Sequence, residues 1–312
     1  MKTVGIIGYG YLGRAFARFF DQHYIVRAYD PYATVDEHLK ASRDQINECD
    51  MAVICVPTPM KEDGACDTSI VEDVASWLTV PLVCIKSAVR PGTSDKLNAQ
   101  YGQRFCPSPE YMGESKYFTP YWKYPHPQDG RMHDFFVIGG PEPTATAITD
   151  FFLAVLGPNA KVIKMSAIEA ELVKYMENSW GATKVTFMNE YYEICKAFGA
   201  DFHKVREGFL ADSRVERMHT MVLPDKRGFG GKCFPKDVTA MTVAATEAGY
   251  EPKLLKQVLA SNAEFVSSRV LHRRCEKCNV PIPADFVNNL CYAHYNELVG
   301  KPADVDIPMG KI

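Results

Sequence analysis

The sequence of 312 residues contains no apolar run long enough to span a bilayer. It also shows no leader pattern, because Lys2 is followed at once by a short apolar strand and a glycine-rich turn. An excess of positive charge is absent as well, since the formal net charge is -3 at pH 7. This balance argues against nucleic-acid binding and against association with a membrane surface. We therefore predict a cytoplasmic protein that binds neither nucleic acid nor membrane.

What the chain does contain is enough apolar material for a sizeable core, because 46% of its residues are hydrophobic. Its length favours two domains and a small third piece. The ten cysteines are more typical of thiols, metal ligands or catalytic groups than of disulfides in a chain of this kind. We predict three domains, which cover residues 1–165, 166–268 and 269–312.

A glycine-rich turn stands between a predicted strand at residues 3–7 and a predicted helix that extends through Phe20. A second predicted strand at residues 25–29 ends at Asp30. In dinucleotide-binding folds the three glycines make the turn, admit the pyrophosphate and let helix pack on strand, while the acid binds the ribose hydroxyls. The pattern predicts NAD rather than NADP, because Asp30 would repel a ribose phosphate; the alternative is a structural turn. The turn consists of Gly8, Tyr9, Gly10, Tyr11, Leu12 and Gly13.

Two later apolar strands, at residues 51–56 and 81–86, end in polar or proline-rich segments. Ligands of such sheets bind at the carboxyl ends of the strands, so we expect these segments to meet the cofactor. The alternative is that their hydroxyls only cap loops. Residues 135–138 are predicted to be the last strand of the same sheet. The cofactor-binding candidates here are Val56, Pro57, Thr58 and Ser87.

A loop shaped by two prolines and a glycine carries two carboxylates, Glu110 and Glu114. One of them could serve as a general base, and the alternative is a pair of surface acids. The aromatic segment at residues 115–133 follows. It could stack on a sugar or a base, or it could pack on itself or on another subunit.

Ser166 and Glu169 form a capping-box pattern at the start of a long predicted helix that runs to Gly199. A helix of this length usually links domains or packs against a partner subunit. Lys174 and Asn178 share one face of it. If that face is inward, the lysine requires a specific partner; the alternative is a solvated lysine. Further helices, predicted at residues 201–210 and 237–248, make the second domain all-helical.

Residues 228–237 combine three glycines, a proline and Cys233. Glycine permits positive φ, and the lysines on either side of Cys233 favour the nucleophilic thiolate. Asp237 lies four residues on and could act as a base or orient a water. The alternative is a glycine-rich turn around a buried cysteine.

Taken together, these motifs resemble the UDP-glucose/GDP-mannose dehydrogenases over residues 1–265. The resemblance implies an α/β protein with an N-terminal Rossmann-type doubly wound sheet, a long central helix and an all-helical second domain. It implies oxidation of the C6 alcohol of a nucleotide sugar to a carboxylate with two NAD, UDP-glucose being the default substrate. The family's third, nucleotide-gripping domain is not recognised here, and we expect it to be lacking. The segments that carry the likeness are residues 8–13, 56–59, 109–110 and 228–237, with Glu171, Lys174 and Asn178.

Catalytic roles follow from the resemblance. It implies that Cys233 forms a thiohemiacetal and then a thioester, and that Lys174 and Asn178 stabilise the oxyanion. Glu110 is the implied base for thioester hydrolysis, while Asp237 works with Lys174 and a water in the alcohol oxidation.

Substrate and cofactor contacts follow as well. The resemblance implies that Glu114 supports the cofactor site and that Arg214 is lent to the substrate by a neighbouring subunit. That arrangement implies a homodimer built on the long helix. Ala88 and Ser108 depart from the family's usual threonine and asparagine. The implied substrate-binding residues are Glu110, Lys174, Asn178, Arg214, Phe229, Gly230 and Gly231.

The C-terminal segment carries a Cys-x-x-Cys pair and a Cys-x-x-His pair, which have the spacing of a tetrahedral zinc site. Four ligands leave no open position for water, which favours a structural zinc ion; the alternative is four unrelated residues. A zinc tail also allows a different function, a non-catalytic sensor of NAD or nucleotide sugar that binds a partner. The predicted ligands are Cys275, Cys278, Cys291 and His294.

Overall fold

The computed structural model describes residues 1–112, 129–224 and 226–268. Within these residues the chain forms two compact units. The first contains residues 1–178 and 239–251, and the second contains the described residues among 179–238 and 252–268. The predicted boundary at residue 165 stays a prediction, and the predicted tail domain lies outside the described residues.

The first unit is built on a five-stranded parallel sheet in the order β2-β1-β3-β4-β5. The strands are short apolar runs, as expected of a sheet that is covered on both faces. The order reverses between β1 and β3, which is the point where ligands of doubly wound sheets bind. The strands are β1 (Thr3–Ile7), β2 (Ile25–Tyr29), β3 (Met51–Ile54), β4 (Val83–Ile85) and β5 (Phe105–Pro107).

Helices pack on both faces of this sheet. Alternate residues along each strand point to opposite faces and therefore lie in two different apolar cores. Ile6 and Val53 lie in a core with Phe16 and Phe152, whereas Ile54 lies in a second core on the other face. This arrangement confirms the predicted doubly wound α/β fold. The helices of the first half are α1 (Tyr11–Phe20), α2 (Arg43–Asn47), α3 (Ser69–Trp77) and α4 (Thr93–Tyr101).

The prediction that residues 135–138 form the last strand of the main sheet is wrong. They belong to β6 (Phe135–Gly139), which pairs in parallel with β7 (Lys161–Met165) in a separate two-stranded sheet, with α5 (Glu142–Leu156) between them. The neighbouring strand β5 ends at Pro107, which has no N–H to donate to a ladder. The hydroxyl of Ser108 instead donates to the Val137 carbonyl oxygen at 2.6 Å.

The long helix α6 (Ala167–Ala197) contains 31 residues and contributes to both units. The predicted capping box is confirmed at its start: the Ser166 N–H donates to Glu169 Oε2 at 2.7 Å, and the Glu169 N–H donates to Ser166 Oγ at 3.4 Å. Its end is confirmed by Gly199, which has a φ of 65° and follows the last helical turn.

The described part of the second unit is helical, as predicted. It contains the C-terminal part of α6, all of α7 (Phe202–Phe209) and α9 (Lys253–Ser267), and the start of α8 (Phe234–Glu247). Asp201 caps α7 by accepting a hydrogen bond from the His203 N–H at 2.9 Å. In the described ranges no helix combines the length and the apolar character that crossing a bilayer would require.

Candidate functional site

The glycine turn after β1 contains two positions that packing dictates and one that it leaves open. Gly8 has a φ of 88°, and a Cβ on it would lie 2.7 Å from the Cys55 carbonyl oxygen. A Cβ on Gly13 would lie 1.9 Å from the Gly8 carbonyl oxygen, so helix and strand approach each other directly. A Cβ on Gly10 would meet nothing within 4 Å. Gly10 therefore keeps open the space in front of the α1 N-terminus, which is where a dinucleotide phosphate would lie.

Asp30 holds this turn to the end of β2. Its carboxylate accepts hydrogen bonds from the backbone N–H groups of Tyr9 at 2.7 Å, Tyr32 at 2.8 Å and Ala33 at 2.9 Å. Burial raises the pKa of Asp30, but the three backbone bonds outweigh it and leave the pKa below its ordinary value. The group is thus ionised at neutral pH. Because a carboxylate has about four acceptor positions, one is left for a ligand hydroxyl.

Tyr9, predicted to bind the cofactor, turns its side chain into the protein. Its hydroxyl donates to Asp36 Oδ2 at 2.7 Å, and burial together with that bond raises the pKa of Tyr9 to about 12. The Arg14 guanidinium lies 5.1 Å from the ring centroid. Among the turn residues Leu12 packs against the core and Tyr11 is exposed. The turn therefore presents mainly backbone to a ligand.

The loops that follow β3 and β4 are tied to each other through the hydroxyls of Thr58 and Ser87. Thr58 Oγ1 donates to the Ala88 carbonyl oxygen at 2.7 Å, and Ser87 Oγ donates to the Val56 carbonyl oxygen at 2.7 Å. These bonds use each hydroxyl as a donor, so a ligand would meet Thr58 and Ser87 as acceptors. Pro57, which directly precedes Thr58, is exposed.

The structure brings Glu110 and Lys174 together within the first unit. The Lys174 ammonium donates to the Glu110 carbonyl oxygen at 2.6 Å and forms an ion pair with Glu177 at 2.9 Å. Its side chain is only 17% exposed, so Lys174 is not a solvated lysine. Glu110 Oε1 accepts a hydrogen bond from the Met112 N–H, and Asn178, one turn along α6 from Lys174, is buried.

A charged residue that the sequence reasoning missed lies beside Glu110. Lys86 directly follows β4, is buried, and donates to Ser108 Oγ at 2.7 Å. Lys86 and Glu110 together line two small cavities of the first unit. The signal was present in the sequence as a lysine that directly follows an apolar strand.

In the second unit, the loop before Cys233 is shaped by contacts with α9. Gly228 has a φ of 69°, and a Cβ on it would lie 2.5 Å from Asn262 Oδ1. Asn262 also brackets Phe229, whose N–H donates to it at 2.6 Å and whose carbonyl oxygen accepts from it at 3.1 Å. The Phe229 side chain is buried in the helical core, while Gly230 and Gly231 are exposed. Gly230 and Gly231 therefore expose their backbone to a substrate, whereas the Phe229 side chain is buried and does not face it.

Cys233 is half-buried and stands directly before the 14-residue helix α8, where its carbonyl oxygen accepts a hydrogen bond from the Asp237 N–H at 2.8 Å. The start of a helix carries partial positive charge, which favours a thiolate. Asp237 is 2% exposed and is paired with Lys236. The charge of Lys236 is therefore shared with a carboxylate and is not devoted to the thiol.

Several predicted residues are surface groups or lie outside the described ranges. Arg214 is 88% exposed and forms an ion pair with Asp212 at 2.5 Å. Within the three described ranges no group of three or more His, Cys, Asp or Glu residues is placed to hold a metal ion. The predicted cofactor residue Glu114 and the predicted zinc ligands Cys275, Cys278, Cys291 and His294 lie outside those ranges.

Glu171 has a structural role that can be tested. Its carboxylate accepts hydrogen bonds from the Gly92 N–H at 2.5 Å and the Ser94 N–H at 2.8 Å, at the start of α4. Burial raises the pKa of Glu171 to about 7, against the opposing effect of these bonds. We expect Glu171→Ala to lower the free energy of unfolding by about 2–4 kcal/mol, because two backbone donors at the start of α4, one of them buried, lose their acceptor. Denaturant titration measures this loss. Glu190→Ala, at an exposed position of α6, should change the free energy by less than about 0.5 kcal/mol.

Two domain models of one family match the chain. Residues 32–116 match the NAD binding domain of the UDP-glucose/GDP-mannose dehydrogenase family, and residues 168–264 match its central domain. UDP-glucose 6-dehydrogenase of Pseudomonas aeruginosa is 33% identical over an aligned length of 233 residues, and the match covers 69% of this chain and 49% of that protein. GDP-mannose 6-dehydrogenase of Pseudomonas savastanoi pv. phaseolicola is 29% identical over an aligned length of 244 residues, and the match covers 72% of this chain and 53% of that protein.

The fold agrees with these matches. The structure of a UDP-glucose dehydrogenase from the archaeon Pyrobaculum islandicum superposes with a TM-score of 0.69 at 28% identity, over 85% of this chain and 68% of that chain. This chain spans about half of the length of each of the two curated relatives. The NAD-domain match contains Thr58, Ser87 and Glu110, and the central-domain match contains Lys174 and Cys233. The chain therefore belongs to the UDP-glucose/GDP-mannose dehydrogenase family.

Proposed function

We propose that this protein is an NAD-dependent nucleotide-sugar 6-dehydrogenase that oxidises a C6 alcohol to a carboxylate, with UDP-glucose as the substrate. The observation that carries this proposal is the position of Cys233, which is half-exposed at the start of α8. The loop before it is held in place by its own glycines and by hydrogen bonds to Asn262. A thiol there has the setting of a nucleophile. The similarity to the Pseudomonas aeruginosa UDP-glucose 6-dehydrogenase supports the choice of sugar nucleotide.

The glycine turn and Asp30 are the proposed NAD site. The pyrophosphate would lie at the α1 N-terminus over Gly10, and the adenosine ribose would bind the remaining acceptor position of Asp30. The ionised Asp30 disfavours a ribose phosphate, which supports NAD over NADP. When bound, NAD supplies the hydride acceptor for both oxidation steps.

In the first oxidation the C6 alcohol loses a hydride and a proton. We assign the proton to a water held by Asp237 and Lys174. Asp237 is buried and lies in the first turn of α8, where the helix N-terminus stabilises its anion. Lys174 is held half-buried by its bonds to Glu110 and Glu177, so its ammonium is fixed in position. The product of this step is the aldehyde.

The second oxidation requires a nucleophile. An aldehyde cannot release a hydride until that nucleophile has added to its carbonyl carbon. The Cys233 thiolate adds to the aldehyde carbon, and Lys174 and Asn178 stabilise the resulting oxyanion. Loss of a second hydride converts the thiohemiacetal to a thioester. Glu110 then takes a proton from water, which attacks the thioester and releases the carboxylate and the Cys233 thiol.

The exposed face of α6 in the second unit supports the predicted homodimer. Its apolar side chains repeat at helical spacing, and a second copy of the same helix would cover them. The Arg214 side chain also lies at the surface, outside the helical core. It is therefore suited to contact the substrate bound to a partner subunit. The exposed apolar residues on this part of α6 are Trp180, Phe187, Tyr191 and Ile194, and the exposed Phe198 directly follows the helix.

Charge placed on this face should separate the subunits. We expect Phe187→Glu combined with Tyr191→Glu to convert a dimer to a monomer, since a two-fold axis brings the new carboxylates of both copies together. Sedimentation analysis measures the mass. Lys196→Glu, at an exposed position on the opposite face of the same helix, should leave the dimer intact. A wild-type chain that sediments as a monomer at all concentrations would refute the proposed interface.

The test of the proposed activity is the number of NADH molecules formed for each nucleotide sugar consumed. A small panel would contain UDP-glucose, GDP-mannose and a UDP-N-acetylhexosamine. We expect two NADH and a carboxylate from UDP-glucose. One NADH for each sugar would contradict the assigned role of Cys233, and binding of NAD without turnover of any sugar would favour a sensor.

A further inference from the structure

Lys86 is a buried cation for which the proposed chemistry gives no role. It is 6% exposed and directly follows β4. Its ammonium lies 4.9 Å from the ring centroid of Phe16, 5.1 Å from that of Phe136 and 4.9 Å from that of Phe152. Aromatic faces attract a cation, so the three rings offset part of its cost of burial and fix the position of its ammonium.

Lys86 is connected to the segment that carries Glu110. Its ammonium donates to Ser108 Oγ at 2.7 Å, and that hydroxyl in turn donates to the Val137 carbonyl oxygen at 2.6 Å. The chain of bonds runs from the end of β4 through the segment after β5 to β6. Pro109 alone separates Ser108 from Glu110, and both cavities lined by Lys86 are also lined by Pro109 and Glu110.

The groups that face Lys86 differ in charge. Burial raises the pKa of the Cys55 and Cys84 thiols, that of Cys84 to about 11, so both are neutral at pH 7. Burial, and then the nearby Lys86 charge, lower the pKa of His133, which is therefore neutral as well. Burial lowers the pKa of Lys86 itself, and the Glu110 carboxylate is among the described groups near it that raise that pKa.

The groups around Glu110 itself are consistent with this pairing. Burial raises the pKa of the neighbouring Tyr111 phenol, which stays neutral. The Lys174 ammonium is bonded to the Glu110 backbone oxygen and is already paired with Glu177. Lys86 is thus a second cation near the Glu110 segment, and it lines one of the two cavities together with Glu110 and Lys174.

We propose that Lys86 is a positioning residue for Glu110: it anchors the Ser108–Glu110 segment, and its fixed charge keeps the Glu110 carboxylate ionised and ready to deprotonate water. The inference rests on the proposed function, in which Glu110 is the base for thioester hydrolysis. Lys86 itself touches neither substrate nor cofactor in this account.

The test is the pH dependence of thioester hydrolysis. The Cys233 thioester is followed by quenching a single turnover and measuring the mass of the intact protein by mass spectrometry. Lys86→Met fills the aromatic pocket without charge and should shift the acid limb of the hydrolysis rate upward by about one pH unit, or about tenfold in rate at a fixed pH on that limb. NAD affinity should not change. Lys164→Met, at a lysine that pairs with Glu142, should leave the limb in place.

A second variant keeps the test decisive if Lys86→Met does not fold, as judged by its thermal transition. Lys86→Gln retains a donor to Ser108 but no charge, and it should show the same upward shift. An unshifted acid limb in a folded Lys86→Met or Lys86→Gln enzyme overturns the inference. The proposed function fails separately, if the wild type forms no Cys233 thioester or if Glu110→Gln hydrolyses it at the wild-type rate.

Discussion

Cys233→Ala should abolish carboxylate formation from the nucleotide sugar and reduce NADH production by at least about a thousandfold at steady state. Without the thiol, the reaction stops at the aldehyde, whose formation is readily reversed, so that NADH does not accumulate. NADH absorbance and mass spectrometry of the sugar product measure the two effects. NAD affinity should stay at the wild-type value, because the predicted NAD site lies in the first unit and Cys233 in the second.

Cys195→Ala is the matched control for this result. Cys195 belongs to the same unit but is buried in a small apolar core with Met188 and Phe202. Its replacement should lower stability modestly and leave two NADH for each sugar. A Cys233→Ala enzyme that still yields two NADH and a carboxylate would refute the thioester route.

Gly10→Ala should weaken NAD binding by at least about a hundredfold while leaving the fold intact. Gly10 has a φ of -75°, and an added Cβ would touch no atom of the protein within 4 Å. The methyl group would instead occupy the space in which the pyrophosphate must approach the backbone. Calorimetric titration with NAD measures the loss, and the thermal transition of the ligand-free protein should be unchanged.

Two other glycines calibrate the Gly10 result. Gly208 is also open on its helix, with no atom within 4 Å of an added Cβ, so Gly208→Ala should preserve NAD binding. Gly13→Ala should destabilise the fold itself, since its Cβ would collide with the Gly8 carbonyl oxygen. Unchanged NAD affinity in Gly10→Ala would mean that the turn is structural and that the dinucleotide binds elsewhere.

The parts of the fold that sequence could predict are those specified by local patterns. The turn from Gly8 to Gly13 is one, because strand, glycines and helix follow within a few residues. The capping box of α6 is another, since Ser166 and Glu169 lie three positions apart. The loop at Cys233 was also recognisable, through its glycines and flanking charges.

What sequence could not supply depends on contacts between distant segments. Asn262 is far along the chain from Phe229, yet its side-chain amide forms hydrogen bonds with both the N–H and the carbonyl oxygen of that residue. Glu171 caps α4 from α6, which no spacing rule reveals. Lys86 reads as a polar end to a strand until Phe136 and Phe152 are seen around it. Such groups are found only once the topology is known.

The first unit is discontinuous in sequence, and this bears on how the chain folds as it is synthesised. Residues 239–251 belong to that unit, where Ala240 packs in one apolar cluster with Cys66 and Tyr175, and Glu247 pairs with Arg90 at 2.5 Å. On the ribosome, the N-terminal sheet can assemble early, but Tyr175 stays uncovered until α8 emerges. The first unit is thus completed only after residues 179–238 of the second unit have been translated.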